Sequence, residues 1–337
     1  MLTEMQLFSY NYALDEPIFQ QSTGVQKDGS RVFKGVYKEH PFHLIFSIEQ
    51  SALYIKKLSF SLTESLFFLS LLDGLFSEYA NINDIRISPQ LFSQMGLDRF
   101  FMNDRTHPDI SILRSAFYQY SVLWTENNTI QPLVIKTTGD VQHPARYNSE
   151  NSTVYTRYIP SLNYTFSLRR FSIDEHLELF HKWQNQPRVA EYWEMAFSKE
   201  KLTEYIEEKI KNPSVAPFIG YHNDTPFCYI ESYWAKEDRI APYYDVDDFD
   251  RGFHLLTGNT QFLGRKFTNS WATAVSHYLF LDDPRTQKLV GEPRYDNKAL
   301  FLSMPKTWQK IKEFDFPHKR AALLFCHRSN FFEQEVI

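Results

Sequence analysis

Cysteine is scarce in this chain. Only Cys228 and Cys326 occur among 337 residues, and both sit in apolar, strand-like runs. Two such residues build neither a disulfide framework nor a metal-ligand spacing, so a reducing compartment is the simple reading. Long apolar runs are missing as well. The longest, Leu66 to Phe76, is interrupted by Asp73 and is too short to cross a bilayer. Met1 to Tyr10 has no basic segment followed by an apolar one, so no signal peptide is expected and the cytoplasm is the expected location. A surplus of positive charge is also absent. The 36 Lys and Arg against 41 Asp and Glu leave a net charge of −5, which argues against general affinity for nucleic acid.

What is present fits a soluble globular protein: 43% apolar and 23% charged residues. The aromatic share, 17% with 30 Phe and 20 Tyr, suits large cores or a pocket for an extended ligand. The length accommodates two domains. The polar, turn-rich stretch Thr137 to Thr156 reads as the linker, giving an N-terminal domain over 1–150 and a second over 151–337.

The first half carries few signals. Pro41–Ile48 reads as a strand and Ser61–Tyr79 as a helix opened by a Ser61/Glu64 capping box, while Asp109–Trp124 fits helix or strand. The second half is sharper. Tyr164–Arg169 alternates as a strand, and Ser172 with Glu175 forms a capping box for a helix through Gln184. A second helix spans Lys199–Lys211, ahead of Pro213. Pro217–Tyr221 and Phe227–Trp234 read as a hairpin. Strands at Arg251–Thr257 and Lys288–Glu292 flank a helix over Thr268–Leu281, and a short helix over Asn297–Ser303 precedes closing strands at Ile311–Phe316 and Arg320–Phe325. The order predicts a mixed α/β sheet with helices packed on it.

Chemistry concentrates between Glu231 and Asn297. The loop Gly258–Phe267 contains Gln261 and Gly264 in a Q-x-x-G arrangement, followed by Arg265 and Lys266. Backbone N–H groups at a helix start bind anions, a glycine permits close approach, and two cations suit a pyrophosphate. The loop is neither a Walker loop nor a dinucleotide fingerprint, and an ordinary capped loop is the other reading. His254 interrupts an apolar strand. It is either a hydrogen-bonded core histidine or, beside Glu292 on the next strand, a general base oriented by a carboxylate. For Glu292 the other reading is a surface salt bridge. The acidic run Asp245, Asp247, Asp248, Asp250 lacks the glycine and distal glutamate of a calcium loop, so no metal is expected there. Asp248 and Asp250 can instead attract a cationic substrate, with Trp234, Tyr243 and Tyr244 as walls. Phe314–Arg320 reads as a structural corner in which Lys319 or Arg320 could meet phosphate.

Several long motifs in order resemble one family. They are His181–Glu194, Tyr233–Asp250, Arg251–His254, Tyr278–Thr286, Glu292–Asn297 and Glu313–Arg320. They look like the siderophore-biosynthesis acyltransferases of the GNAT superfamily, nearest in pattern to those that acetylate N-hydroxylysine. The resemblance runs from about Tyr164 to the C-terminus. It implies a GNAT fold, a mostly antiparallel mixed sheet with flanking helices, preceded by an accessory or degenerate GNAT-like half. It further implies acetyl-CoA or another acyl-CoA as co-substrate, an N-hydroxylated amine as acceptor, and siderophore-pathway enzymes as partners. By matching position His254 and Glu292 fall on the family's catalytic pair, although a mycobactin-pathway relative has aspartate at the position of Glu292. Gln261 and Gly264 match the superfamily's pyrophosphate motif, whereas Lys266 occupies its last small position. Asn297 resembles the asparagine beside the pantetheine arm.

The expected chemistry is direct acyl transfer from the thioester to a hydroxylated nitrogen, giving a hydroxamate. His254 would accept the proton and Glu292 would stabilise the imidazolium. Succinyl or longer acyl donors, and a non-catalytic acyl-CoA-binding module suggested by Lys266, are the alternatives.

Overall fold

The computed structural model describes residues 19–61, 64–101, 108–125, 130–148 and 152–335. The chain start read for a leader lies outside them. Two compact units divide at Trp124 and Thr125.

The first unit is a six-stranded sheet in sequential order: β1 (Phe19–Val25), β2 (Arg31–Tyr37), β3 (His40–Glu49), β4 (Ala52–Ser59), β5 (Asp84–Ile87) and β6 (Ile110–Leu113). All neighbours are antiparallel except β4 and β5, which run parallel and are joined through helix α1 (Ser65–Glu78). Helix α1 is apolar nearly all round and buries residues from Phe67 to Phe76, which suits a central position. The expected Ser61/Glu64 capping box does not form. Glu64 is itself the N-cap, and the Ser61 hydroxyl lies 3.0 Å from Nδ1 of His40. Short helices α2 (Pro89–Gln94) and α3 (Arg114–Phe117) complete the unit, so the ambiguous Asp109–Trp124 stretch resolves into β6 and a helical turn.

In the second unit, hairpin β7 (Ile135–Thr138) and β8 (Val141–Pro144) precedes β9 (Thr153–Ile159) and β10 (Tyr164–Arg170). Helices α4 (Ile173–Gln184), α5 (Pro187–Trp193) and α6 (Lys199–Lys211) follow, then β11 (Val215–His222), β12 (Thr225–Trp234) and β13 (Arg251–Thr257). The chain continues through α7 (Arg265–Asp282), β14 (Lys288–Gly291), α8 (Lys298–Ser303), β15 (Gln309–Asp315), β16 (Arg320–His327) and α9 (Arg328–Gln334). The main sheet has the order β15-β16-β14-β13-β12-β11-β10-β9, mixed and mostly antiparallel.

The stretch expected as a linker is part of this unit. It forms β7, β8 and the start of β9, because Gly139, at φ 58°, lets the chain turn between β7 and β8. The segment after the turn is tied down. His143 Nδ1 lies 2.7 Å from Glu237 Oε1, and Arg146 donates to both oxygens of Glu237 at 2.6 and 2.9 Å.

The two units share a pairing scheme. β10, β11, β12, β13, β14 and β16 repeat the senses of β1 to β6, again with one parallel pair joined by a helix, here β13–α7–β14. They differ in that pair. β4 and β5 stay registered over four residue pairs, from Ala52↔Asp84 to Ile55↔Ile87. β13 and β14 register at only two, Arg251↔Leu289 and Gly252↔Val290, and then part. Beyond Gly291 the β14 chain keeps following β16: Ala322 N–H donates to the Pro293 carbonyl and Tyr295 N–H to that of Arg320. The sheet of the second unit therefore opens between β13 and β14.

One core packs α4 and α6 on the sheet, with Phe180, Trp183, Leu202 and Ile206 against Ile219 and Tyr229. Ser172 caps α4 differently from the expectation: its N–H donates to Nδ1 of His176, leaving Glu175 exposed.

Candidate active site

The opening carries the residues singled out in the sequence. His254 lies two positions beyond Gly252 on β13, and Glu292 two positions beyond Val290, so both stand at the same level just past the point where the ladder ends. The side chains bridge the gap, with His254 Nε2 2.9 Å from Glu292 Oε1. The readings of His254 as a core residue and Glu292 as a surface salt bridge both fail here. His254 keeps a quarter of its side chain exposed, while Glu292 is buried.

A third charged residue, not singled out from the sequence, completes the group. Glu231 on β12 is registered directly opposite His254, and its Oε1 lies 3.4 Å from His254 Nδ1. Tyr205 and Tyr229 donate to Glu231 Oε2 at 2.5 and 2.9 Å, and Lys209 Nζ stands 3.7 Å from Oε1. Around Glu292, Tyr233 donates to Oε2 at 2.8 Å, while Arg239 and Lys319 stand 3.8 and 3.9 Å from Oε1.

This arrangement sets the charges. Burial alone would lower the pKa of His254, but the Glu292 charge and hydrogen bonds from both ring nitrogens outweigh it, and the pKa rises to about 10. Burial likewise opposes ionisation of Glu231, yet the His254 hydrogen bond and charge, with Lys209 and Tyr205, hold its pKa down at about 2. Glu292 goes lower still. Burial is again outweighed, here by the charge and hydrogen bond of His254, then by Lys319 and Tyr233. All three shifts favour the charged forms, an imidazolium between two carboxylates.

Gly252 is required by this packing. It faces Tyr233 across the β12–β13 ladder, and a Cβ there would come within 2.2 Å of the Tyr233 ring. Gly252→Ala is expected to destabilise the protein by about 1–3 kcal/mol through overpacking. It should also lower turnover, because Tyr233 must move off Glu292. Denaturant midpoints together with kcat check this.

A cavity of about 620 Å³ surrounds the group. Both Phe253 and Leu255 line it, as does His254, although neighbours on a strand point to opposite faces. The cavity thus passes through the opened sheet. Trp308, Met304 and Asn297 line it together with Tyr233, Arg239 and Lys319. Asn297 also caps α8, accepting from Leu300 N–H at 3.1 Å.

The other expected cofactor residues lie at the start of the 18-residue helix α7. Gln261, Gly264, Arg265 and Lys266 are all exposed and outside the cavity lining. Gly264 precedes the helix at φ 135°, a conformation that favours glycine, and the first N–H groups of α7 have no intrahelical acceptor.

The five residues expected to hold the acceptor do not line the His254 cavity. Trp234 follows Tyr233 on β12 and therefore points to the opposite face, where the guanidiniums of Arg146 and Arg251 lie 4.1 and 4.4 Å from its ring. Tyr243 packs on Phe314 and Phe316. Tyr244 donates to Asp250, which also accepts from the Asp247 N–H and pairs with Lys288. Asp248 pairs with Lys236 and gives its carbonyl to Arg146. The acidic run is a hydrogen-bonded structural turn. Among the described residues, no group of three or more His, Cys, Asp or Glu is placed to hold a metal, and no helix is long and apolar enough to cross a membrane.

Comparison with known proteins follows the same stretch. Residues 172–316 match the acetyltransferase (GNAT) domain family. The chain is 40% identical over 227 residues to an N(6)-hydroxylysine O-acetyltransferase of Escherichia coli, covering 66% of this chain and 72% of that protein. It is 38% identical over 222 residues to an N(5)-hydroxyornithine:cis-anhydromevalonyl coenzyme A-N(5)-transacylase of Beauveria bassiana, covering 60% of this chain and 47% of that one. A crystal structure of an uncharacterized protein from Bacillus halodurans superposes with a TM-score of 0.51 at 29% identity, over 53% of this chain and 92% of its own.

Proposed function

This chain belongs to the GNAT acyltransferases of siderophore biosynthesis, enzymes that move an acyl group to an N-hydroxylated amine, and we propose that it does so at His254 and Glu292, with acetyl-CoA as donor. The observation that carries this reading is the carboxylate-flanked imidazole set in a sheet opening through which a cavity of about 620 Å³ passes. In this reading the unit within 125–335 is catalytic. The α7 start, with Gly264, Arg265 and Lys266, holds the diphosphate of CoA, and the opening beside Asn297 admits its thioester arm. Acetyl is the group in the name of a relative that this chain covers over 72% of its length.

A hydroxylamine is largely neutral at pH 7, so its nitrogen attacks the thioester carbonyl carbon without prior deprotonation. The C–N bond forms and the carbonyl electron pair moves to oxygen, where the fixed positive charge of His254 stabilises it. The nitrogen, now cationic and bearing a hydroxyl, is strongly acidic. Because the ring of His254 already carries its proton, we assign the acceptor role to Glu292, the reverse of the roles expected from the sequence. The electron pair on oxygen then re-forms the carbonyl as the C–S bond breaks, and Glu292 passes the proton to the departing thiolate. Both substrates bind together and no acyl-enzyme forms.

We assign the acceptor to N-hydroxylated diamino acids such as N-hydroxylysine. Three cations, His254, Arg239 and Lys319, face the single carboxylate of Glu292, and Arg294 also lines the cavity. Glu194, Glu231, Glu237 and Asp238 line the same cavity, so it holds no net surplus of cations; Arg239 and Lys319 are the groups placed to meet an acceptor that brings its own carboxylate. Thiol release from acetyl-CoA with N-hydroxylysine and N-hydroxycadaverine, each beside its parent amine, tests both parts. Release is expected only with the hydroxylated compounds. N-hydroxylysine should lead by about tenfold or more in kcat/KM, the worth of one charged hydrogen bond. The product should give the colour of a ferric hydroxamate, which acylation on oxygen would not.

A further inference from the structure

One buried acid is left without a part in this chemistry. Glu231 is only 4% exposed, and it sits in the middle of an apolar strand. Its Oε2 is taken by two tyrosine hydroxyls, which leaves Oε1 aimed at Nδ1 of His254. On the far side of the ring, Nε2 faces Glu292. An imidazole can donate from both nitrogens only when protonated, and a neutral ring would turn one lone pair toward a carboxylate. We infer that Glu231 is a positioning residue for the transfer reaction: with Tyr205 and Tyr229 it forms the second jaw of a clamp that fixes both the orientation and the positive charge of His254.

Helix α5 packs the Trp193 ring on His254, with Tyr192 and Glu194 lining the same cavity, and charged or titratable groups approach from the other packed elements. From β12 come Glu231, Tyr229 and Tyr233. From α6 come Tyr205 and Lys209, and from the segment after β12 come Asp238 and Arg239. Glu292 follows β14, and Lys319 precedes β16. Among these groups only Glu231 and Glu292 have a carboxylate within hydrogen-bonding reach of a ring nitrogen. Glu292 alone could orient the ring through Nε2. It would leave Nδ1 free to lose its proton, and Glu231 prevents that.

The inference rests on the proposed reaction, and the test separates the two. Glu231→Gln keeps an oxygen for the tyrosines and removes the charge. In protein labelled at histidine, NMR titration should show the His254 pKa falling by at least one unit in Glu231→Gln. The alkaline limb of kcat should fall by the same amount, with KM for acetyl-CoA unchanged. Glu231→Asp, which keeps the charge, should recover part of both shifts. A Glu231→Gln protein that melts like wild type yet keeps the wild-type His254 titration and alkaline limb would overturn the inference. The titration needs no turnover. If wild-type protein acylates no hydroxylated amine, the proposed reaction falls while the titration still reports on the clamp. Should Glu231→Gln not fold, Glu231→Asp replaces it: the shorter side chain draws the carboxylate back from Nδ1, so the His254 titration should fall part of the way, and an unchanged titration overturns the inference.

Discussion

Glu292→Gln lowers kcat by about a thousandfold, within the span of contributions made by a positioned proton acceptor. The amide has the shape of the carboxylate but only one acceptor oxygen, so it keeps one of the two bonds that Tyr233 and Nε2 of His254 make to different oxygens of Glu292. It takes no proton from the attacked nitrogen. It also leaves Arg239 and Lys319 without the anion they face, and it removes the larger of the two charges that keep His254 protonated. Two functions are lost together, which is why the effect exceeds that expected for His254→Ala, about a hundredfold. Breaking a buried ion pair from one side costs about 3–5 kcal/mol, so stability must be measured alongside. Glu292→Asp keeps the charge and is the control: it should fold and retain turnover well above Glu292→Gln. A folded Glu292→Gln enzyme with kcat within tenfold of wild type would remove Glu292 from the proton path.

The His254–Glu292 pair was legible because it rests on a long-range rule. A strand, a helix and a second strand return the chain beside itself, and the two side chains then meet at the same level of a parallel pair. Glu231 left a fainter mark. It is the single acid within F-C-Y-I-E-S-Y-W, on the same strand face as Tyr229 and Tyr233, and an acid in an apolar strand must find partners. Cross-strand register alone puts it opposite His254, and register is not readable from one strand.

The misplaced acceptor pocket has the same origin. Tyr233 and Trp234 are adjacent in sequence and point to opposite faces, and it is Tyr233 that meets Glu292. The acidic run looked available for a substrate because nothing local announced Lys288, which meets Asp250 Oδ2 together with Tyr244 and the Asp247 N–H. The first unit was hard to read for another reason. Helix α1 is buried on nearly all sides and so shows no clean polar face, and the pairing scheme it shares with the second unit lies in topology, with few shared motifs to mark it.

With saturating substrates, kcat should stay level from about pH 7 to 9 and then fall tenfold for each unit above the His254 pKa of about 10. The sign follows from the charges. The folded pKa lies above the ordinary value of 6.5, so the imidazolium persists through the neutral range and is lost only as pH rises past about 10. Glu231, held at about 2, and Glu292, held lower, stay ionised throughout. The hydroxyls of Tyr205, Tyr229 and Tyr233 are all pushed above the usual tyrosine range, first by burial and then by carboxylate charge, so they stay protonated through this window. Burial lowers the pKa of Lys319, which makes it the competing source of an alkaline limb. Lys319→Arg, charged at every pH in question, separates the two: a limb that survives in this variant belongs to His254. Stability follows the same linkage. The His254 contribution is complete below pH 6.5 and disappears as pH rises through about 10, while that of Glu231 is complete above its ordinary range near 4.5 and is lost as pH falls through about 2. A free-base role for His254 makes the opposite forecast for turnover: log kcat would climb with unit slope from neutral pH to about 10, because the unprotonated ring is scarce below that value.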